Sequence, residues 1–497
     1  MAERPILIKN GLVLDAERAA PERLDLLVRD GRIAAIGPPG TLTADDAEVV
    51  DAHDRLVIPG LVNAHTHSHL AFAKGIQDRW NLELHLNAGP WTNVLFSHHE
   101  RRLSTLLSAA EMISKGCTAA YDLHFEIPEP SSEGMLTVAD AYREAGMRAL
   151  IAPMLADRSI WTAIPGLLEA AGTEKPPGLA TPRPPEAVVE NAAQLVKSWS
   201  RPRTETGLAL APTIPHHCSD PLLLGCARLS RDEGVPLHMH LAESKLQAVA
   251  GPQVYGTSLT HHIAEAGLIS ERFTAAHAVW LEDDEFDLLA RHGAKVAHNP
   301  GSNLRLGNGI AAVRRMLDRG ITMGIGTDAS SCADGLNMFE ATRTAALVSH
   351  IMSGDPERWL TSREVFRMAT IEGARLLGLE HDIGQIAVGY LADLVFLDLD
   401  HLNYIPLNDA LQQIVFMENG AAVRRVLVGG RTVYLDGKLT KIDMGRLRRD
   451  VEAAVENVRS QVVERRRVCD ALEPVLRRAC LCMTSQPLKS ERRFECT

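Results

Sequence analysis

Between Val57 and about Leu379, apolar runs of strand length recur between amphipathic stretches of helical period. The runs are LVNAHTH, CTAAYDLH, RALIAPM, GLALAPTI, VPLHMHLAE, FTAAHAVWL, KVAHNP and TMGIGTD. Strands that alternate with helices pair in parallel, and eight of them are what a closed barrel takes. An α/β fold, a (β/α)8 TIM-like barrel, is therefore expected over residues 59–385.

The flanks read differently. ILIKNGLVLD, LDLLVRDGRIAAIG and EVVDAHDRLVIPG are short alternating runs punctuated by Gly and Asn-Gly, and IAVGYLADLVFLDLD and AVRRVLVGGRTVYLDGKLTK return to that style. Residues 1–58 and 386–442 are expected to complete one small β-sandwich together. GTEKPPGLATPRPPEA, near residues 172–187, reads as an exposed loop, residues 443–479 as one or two charged amphipathic helices, and the last eighteen residues as a frayed tail.

With 497 residues, 45% of them apolar, the chain has enough to bury a barrel and an accessory domain. Its formal charge of −11 is dispersed, so it lacks the basic face that nucleic acid or an anionic membrane requires, and a small-molecule substrate is favoured. MAERPILIKNG runs straight into an apolar alternation and no later run is long enough to span a bilayer, which points to a soluble, cytoplasmic protein. The eight cysteines form no CxxC pair, and Cys117, Cys218 and Cys332 read as reduced core or wall thiols.

The densest chemical signal is His65-Thr66-His67 at the end of VIPGLVNAHTH. Residues i and i+2 of a strand share a side, so both imidazoles can face one metal at the end of the barrel where active sites form. HMHLAE adds His240 as a third ligand, with His238 deeper as a hydrogen-bonded core histidine and Glu243 beyond the strand end, in reach of metal-bound water. Two more strand ends supply His277 in TAAHAVWL and Asp328 in GIGTDASS. The result is a His3Asp set with one further histidine and one glutamate.

PGLVNAHTH, HMHLAES, HAVWL, AHNPGSNLRLGNG and GTDASS occur in the order of the amidohydrolase superfamily's motifs, and the chain resembles its ATZ/TRZ, cytosine deaminase-like branch over roughly residues 5–440. The resemblance implies one divalent metal on His65, His67, His240 and Asp328, with zinc first and ferrous iron as the alternative. Relatives with two metals use a carboxylated lysine from strand four, which GLALAPTIPHHCS lacks. Homodimers or larger homo-oligomers are common among such relatives.

The mechanism expected is attack of metal-activated water on an sp2 carbon that bears an amino group. Glu243 protonates the adjacent ring nitrogen, His277 stabilises the developing charge, and Asp328 assists proton transfer as ammonia leaves. The leading substrate class is an amino-substituted purine, pterin, pyrimidine or triazine. The alternative keeps the site and hydrolyses an amide, urea, formimino or chloro substituent; a remote third reading is a catalytically silent scaffold.

Candidates for substrate recognition are Gln77, Trp80 and Trp91 after strand one, His124 after strand two, Arg158 after strand three, His216 and His217 after strand four, and Asn303 after strand seven. The tryptophans either stack on a planar ring or anchor their loop, and Asn303 either touches ligand or shapes its turn. Many relatives carry a histidine in a PHxPY-like segment after strand four; here APTIPHHCS places Thr213 at that point, so the resemblance carries no particular substrate with it.

Overall fold

A computed structural model describes residues 4–76, 78–93, 97–127, 129–172, 183–333 and 335–493. The chain opens with β1 (Ile6–Val13), β2 (Glu22–Arg29), β3 (Arg32–Gly37), β4 (Glu48–Asp51) and β5 (Arg55–Pro59). Asp30 and Gly31 both take positive φ (49° and 75°), the two-residue turn that matches the twist of a hairpin, and Arg29 pairs with Arg32 across it.

Then follow β6 (Leu61–Thr66), β7 (Cys117–His124), β8 (Arg148–Leu155), β9 (Gly207–Leu208), β10 (Ala211–Pro212), β11 (Leu237–Leu241), β12 (Phe273–His277), β13 (Lys295–His298) and β14 (Thr322–Ile325). β6, β7, β8, β9 and β10 form one parallel sheet, and β11 to β14 form another. Every residue of β7 is buried, as expected of a strand covered on both faces. These strands coincide with the eight apolar runs of the sequence. The fourth run is interrupted between β9 and β10, where the Ala209 N–H donates to Ile151 on one side and the Leu210 N–H to Pro236 on the other, both at 2.9 Å. Parallel bridges Leu210–Leu237 and Thr66–Asp328 run from one sheet to the other. The architecture is mixed α/β with parallel sheets.

The last strands are β15 (Leu394–Asp398), β16 (Val423–Val428), β17 (Arg431–Leu435) and β18 (Lys438–Leu439). They share a sheet with the first five in the order β18-β17-β16-β15-β5-β1-β2-β3, with β4 beside β1. The two ends of the chain meet where β15 runs antiparallel to β5, Phe396 opposite Val57. A buried ion pair joins this sheet to β8: Arg148 donates from Nε (2.8 Å) and Nη2 (3.0 Å) to Asp393, which also accepts from the Gly429 N–H at 2.7 Å. With its acceptors filled, the carboxylate is buried without an orphaned charge.

The loop expected near residues 172–187 falls in part on 173–182, outside the described residues, and a helix begins at Pro185. The C-terminal region is one helix, Met444–Thr484, started by Asp443 accepting from the Arg446 N–H at 3.0 Å. Its buried face carries Leu447, Ala454, Val458, Cys469, Leu476, Cys480 and Met483. The tail expected to fray is instead docked through Arg493: Ser490 hydrogen-bonds Glu282, and the Arg492 guanidinium is buried on the carbonyls of Val279 and Leu281. Arginine reads as a surface residue in sequence, but carbonyl acceptors at loop ends give it a place inside. Among the described residues, no helix is long and apolar enough to cross a membrane.

Candidate active site

The strand ends that carry the candidate residues are bent in an unusual way. Ala242, His277, Ala278 and Asp328 all lie in the left-handed region, with φ of 47°, 70°, 49° and 61°. Such a backbone costs about 1–3 kcal/mol per non-glycine residue, and it persists because neighbours fix it. The Asp328 N–H donates to His65 O (2.9 Å), the Ala278 N–H to Leu241 O (3.1 Å) and the Val279 N–H to Ala242 O (3.1 Å). Each bend ends a strand and turns its side chain toward its neighbours' ends.

His65, His67, His240, His277 and Asp328 converge there: His65, His67 and His240 form one group of potential ligand atoms within 4.8 Å of one another, and His65, His277 and Asp328 form a second. His67 donates from Nδ1 to Leu123 O at 2.7 Å, and His240 from Nδ1 to Thr213 O at 2.8 Å. These bonds leave both Nε2 atoms with lone pairs, and the two lie 3.2 Å apart. His65 points its Nδ1 at His238 Nε2 (3.2 Å), while its own Nε2 is buried with no hydrogen-bond partner. Asp328 Oδ1 lies 3.3 Å from His67 Nε2 and 3.7 Å from His65 Nε2. Facing lone pairs, an orphaned imidazole nitrogen and a carboxylate make a donor set that fits a divalent cation, with zinc well suited to three imidazoles and one carboxylate.

Burial disfavours a charge on Asp328, but His67, His277 and His240 outweigh it and hold its carboxyl at about 2. Burial, aided by His67 and His277, lowers His240 to about 3, so it stays a neutral donor across the physiological range. Glu243 goes the other way: burial, then the charges of Asp328 and Glu83, push its carboxyl well above the usual carboxylate range. Two carboxyls driven apart in this manner are suited to different tasks, one as a fixed anion and one as a proton carrier.

Glu243 Oε2 is 3.5 Å from His277 Nε2, which is itself 3.9 Å from Asp328 Oδ2. Asn308 donates from Nδ2 to Glu243 Oε1 at 2.9 Å, and His277 donates from Nδ1 to Asn303 Oδ1 at 2.9 Å. Asn303 therefore acts on His277. Asn308 carries no signal in the sequence beyond its place in the Gly-flanked turn LGNGI. Glu83, which accepts from Ser244 Oγ at 2.6 Å, is another buried carboxyl that motif reading passes over.

The remaining candidates are dispersed. Gln77 lies outside the described residues. Trp80 packs edge-on against Trp91 at 5.8 Å, Trp91 is buried with Ala88 and Cys469, and Arg466 of the C-terminal helix covers its ring at 5.0 Å. Both tryptophans thus anchor the helix Leu82–Thr92 to the C-terminal helix. His124 is fully buried at the end of β7, with Nδ1 3.2 Å from Ser68 Oγ and Nε2 unpartnered. Arg158 reaches Tyr255 Oη at 3.4 Å, and its N–H donates to His217 O. His216 and His217 meet edge to face at 4.8 Å, and burial lowers both, His217 to about 4. His238 is buried beneath His65 with its ring 4.4 Å from that of Tyr121.

Parallel strands whose ends aim three imidazoles, a carboxylate and a separate buried Glu–His pair at one point fit the metal-dependent hydrolase class. Residues 56–433 match the amidohydrolase family, and the chain belongs to it. It is 33% identical over 451 residues to the 5'-deoxyadenosine deaminase of Methanothermobacter thermautotrophicus, covering 89% of this chain and 96% of that protein. A zinc-bound adenosine deaminase from Xanthomonas campestris superposes with a TM-score of 0.80 at 27% identity, covering 92% of this chain and 98% of that one. The zinc complex of atrazine chlorohydrolase TrzN from Arthrobacter aurescens superposes with a TM-score of 0.80 at 25% identity, covering 90% of this chain and all of that one.

Proposed function

We propose that the protein hydrolytically deaminates an amino-substituted N-heterocycle, with a 5'-modified adenosine as the first substrate class to try. The observation that carries this is the buried pair Glu243–His277 set against the His65, His67, His240 and Asp328 donors. Similarity to a 5'-deoxyadenosine deaminase and to an adenosine deaminase supports the choice of ring. We take the parallel sheets and their two bridges as a closed eight-stranded barrel over residues 59–385, with residues 1–58 and 386–442 as a composite β-domain and 443–497 as an extension.

His65, His67, His240 and Asp328 hold one divalent metal in this reading, zinc before ferrous iron. The metal supplies Lewis acidity, which brings the pKa of a water near neutrality. Glu243, a carboxyl that burial keeps protonatable, hands a proton to the ring nitrogen beside the attacked carbon. His277, whose Nδ1–H is already given to Asn303, stabilises the charge that builds in the reaction through Nε2 in its protonated form. Asp328, ionised at the outset, takes the proton that the attacking water gives up and passes it to the amino nitrogen, which leaves as ammonia.

The test is ammonia release from 5'-deoxyadenosine, adenosine and a panel of aminopurines, pterins, pyrimidines and triazines, with Glu243→Gln as control. Release by the wild type and its loss in Glu243→Gln is the expected result. The alternative of a chloride product has the likeness to atrazine chlorohydrolase TrzN in its favour. Product analysis that finds chloride or amine and no ammonia overturns the deaminase reading.

A further inference from the structure

The docked C-terminal tail meets the segment that follows His277 and the segment whose asparagines hold Glu243 and His277. Arg492 donates from Nε to Val279 O (3.0 Å) and from Nη2 to Leu281 O (2.8 Å), while its own carbonyl accepts from the Ile310 N–H (2.9 Å). It thereby joins the segment that follows His277 to the segment after β13, where Asn303 sits in the short helix Pro300–Arg305 and Asn308 in the turn beyond it. The contact leaves no slack: a Cβ on Gly309 would sit 2.7 Å from the Arg492 carbonyl oxygen. On one side of Arg492, Ser490 is held by Glu282 and Glu491 by the buried Lys245 (3.2 Å). On the other, Arg493 covers the Trp280 ring at 5.5 Å.

Trp280 carries the connection inward. Its Nε1–H donates to Asn308 O at 2.6 Å, the Asn308 N–H donates to Asn303 O at 2.8 Å, and the two asparagine side chains hold Glu243 and His277. We propose that Arg492 is a positioning residue: it locks the 279–281 and 303–310 segments together so that Asn308 and Asn303 hold Glu243 and His277 in register. The proposal rests on reading Glu243 as the proton carrier, and it assigns the C-terminal extension a part in turnover without contact with the substrate.

The experiment compares Arg492→Ala, Asn308→Ala and the double variant in the full-length, metal-loaded enzyme. Arg492→Ala is expected to lower kcat for ammonia release by roughly 10-fold, the scale of losing an outer-shell partner, with KM and metal content unchanged. Arg492→Lys, able to reach one carbonyl, should recover part of it. The double variant should be no slower than Asn308→Ala alone, because the two act through one connection. Independent, multiplying effects, or a KM change with constant kcat, overturn the proposal. If Arg492→Ala does not fold, Trp280→Phe, which removes the Nε1 donor together with part of the buried ring, carries the same expectation for kcat and for exchange at Asn308. Hydrogen exchange at the Asn308 and Ile310 amides is read alongside: faster exchange in Arg492→Ala supports the lock, and unchanged exchange overturns it. That measurement needs no substrate, so a wild type that releases no ammonia would sink the deaminase reading and leave the lock to be decided by exchange.

Discussion

His67 and His240 are each turned by a main-chain carbonyl of a neighbouring strand segment, Leu123 O and Thr213 O, whereas His277 and Glu243 are turned by side-chain amides of one segment after β13, Asn303 and Asn308. A carbonyl is present whatever residue supplies it, so these two of the four proposed metal ligands are turned by the backbone, while His65 leans on the His238 ring. The half proposed to handle protons depends on two particular side chains and on whatever holds their segment. The first half should therefore tolerate changes in its supporting residues, and the second should not.

The largest effect comes from removing a donor that no neighbour replaces. Asp328→Ala is expected to lose bound metal and to cut turnover on the order of 10⁴-fold, since in the proposed mechanism ligand and proton acceptor go together. Metal analysis beside kcat checks this; near-normal metal content would remove Asp328 from the ligand set. Glu243→Gln should keep the metal and lower kcat by roughly 10²–10⁴-fold, the usual scale for a general acid–base. Loss of metal in that variant would merge the two halves that the hydrogen bonds separate.

Asn303→Ala comes next, with kcat down about 10–100-fold and metal retained, because His277 keeps its place but loses the acceptor that fixes its ring. His298 is a buried imidazole with neither kind of support: both ring nitrogens lack partners, and burial lowers it to about 3. A histidine depressed below its unfolded value near 6.5 binds fewer protons folded than unfolded, so its contribution is present above 6.5 and is lost as pH falls toward 3. Wild-type stability should fall relative to His298→Asn by about 1.4 kcal/mol per pH unit within that window. Parallel denaturation curves for the two proteins from pH 6.5 down to 4 would mean that His298 has found a partner.

The half proposed to face the metal is legible in the sequence because its signals are local. HTH and HMH place alternate residues on one side of a strand, and the strand end is marked by the small or polar residues that follow. The supporting half is not local. Asn303 reads as a turn residue, and only the fold shows its Oδ1 on His277. Trp80 and Trp91 are apolar in either reading, and their partner, the C-terminal helix, lies more than 350 residues away in sequence, so stacking on a ligand and anchoring a loop look alike until the helix is placed. Arg492 misleads for a related reason: an arginine near a chain end reads as solvated, and the carbonyls that take it in come from another loop. The eight strand runs were readable from hydrophobic period; the break between β9 and β10 depends on which neighbour each N–H faces, which period does not encode.

The smallest expected effect is the sharpest check on the contrast. Leu123 is fully buried, and its carbonyl accepts from His67 Nδ1 at 2.7 Å. Leu123→Ile keeps that carbonyl and nearly the same volume, and such swaps usually cost under about 1.5 kcal/mol of stability. If the main chain alone turns His67, metal content and kcat should match the wild type while the melting temperature drops by a few degrees. A fall in metal affinity out of proportion to that loss would show that side-chain packing also sets the ring, and the metal-facing half would then be as exposed to its neighbours as Asn303 makes His277.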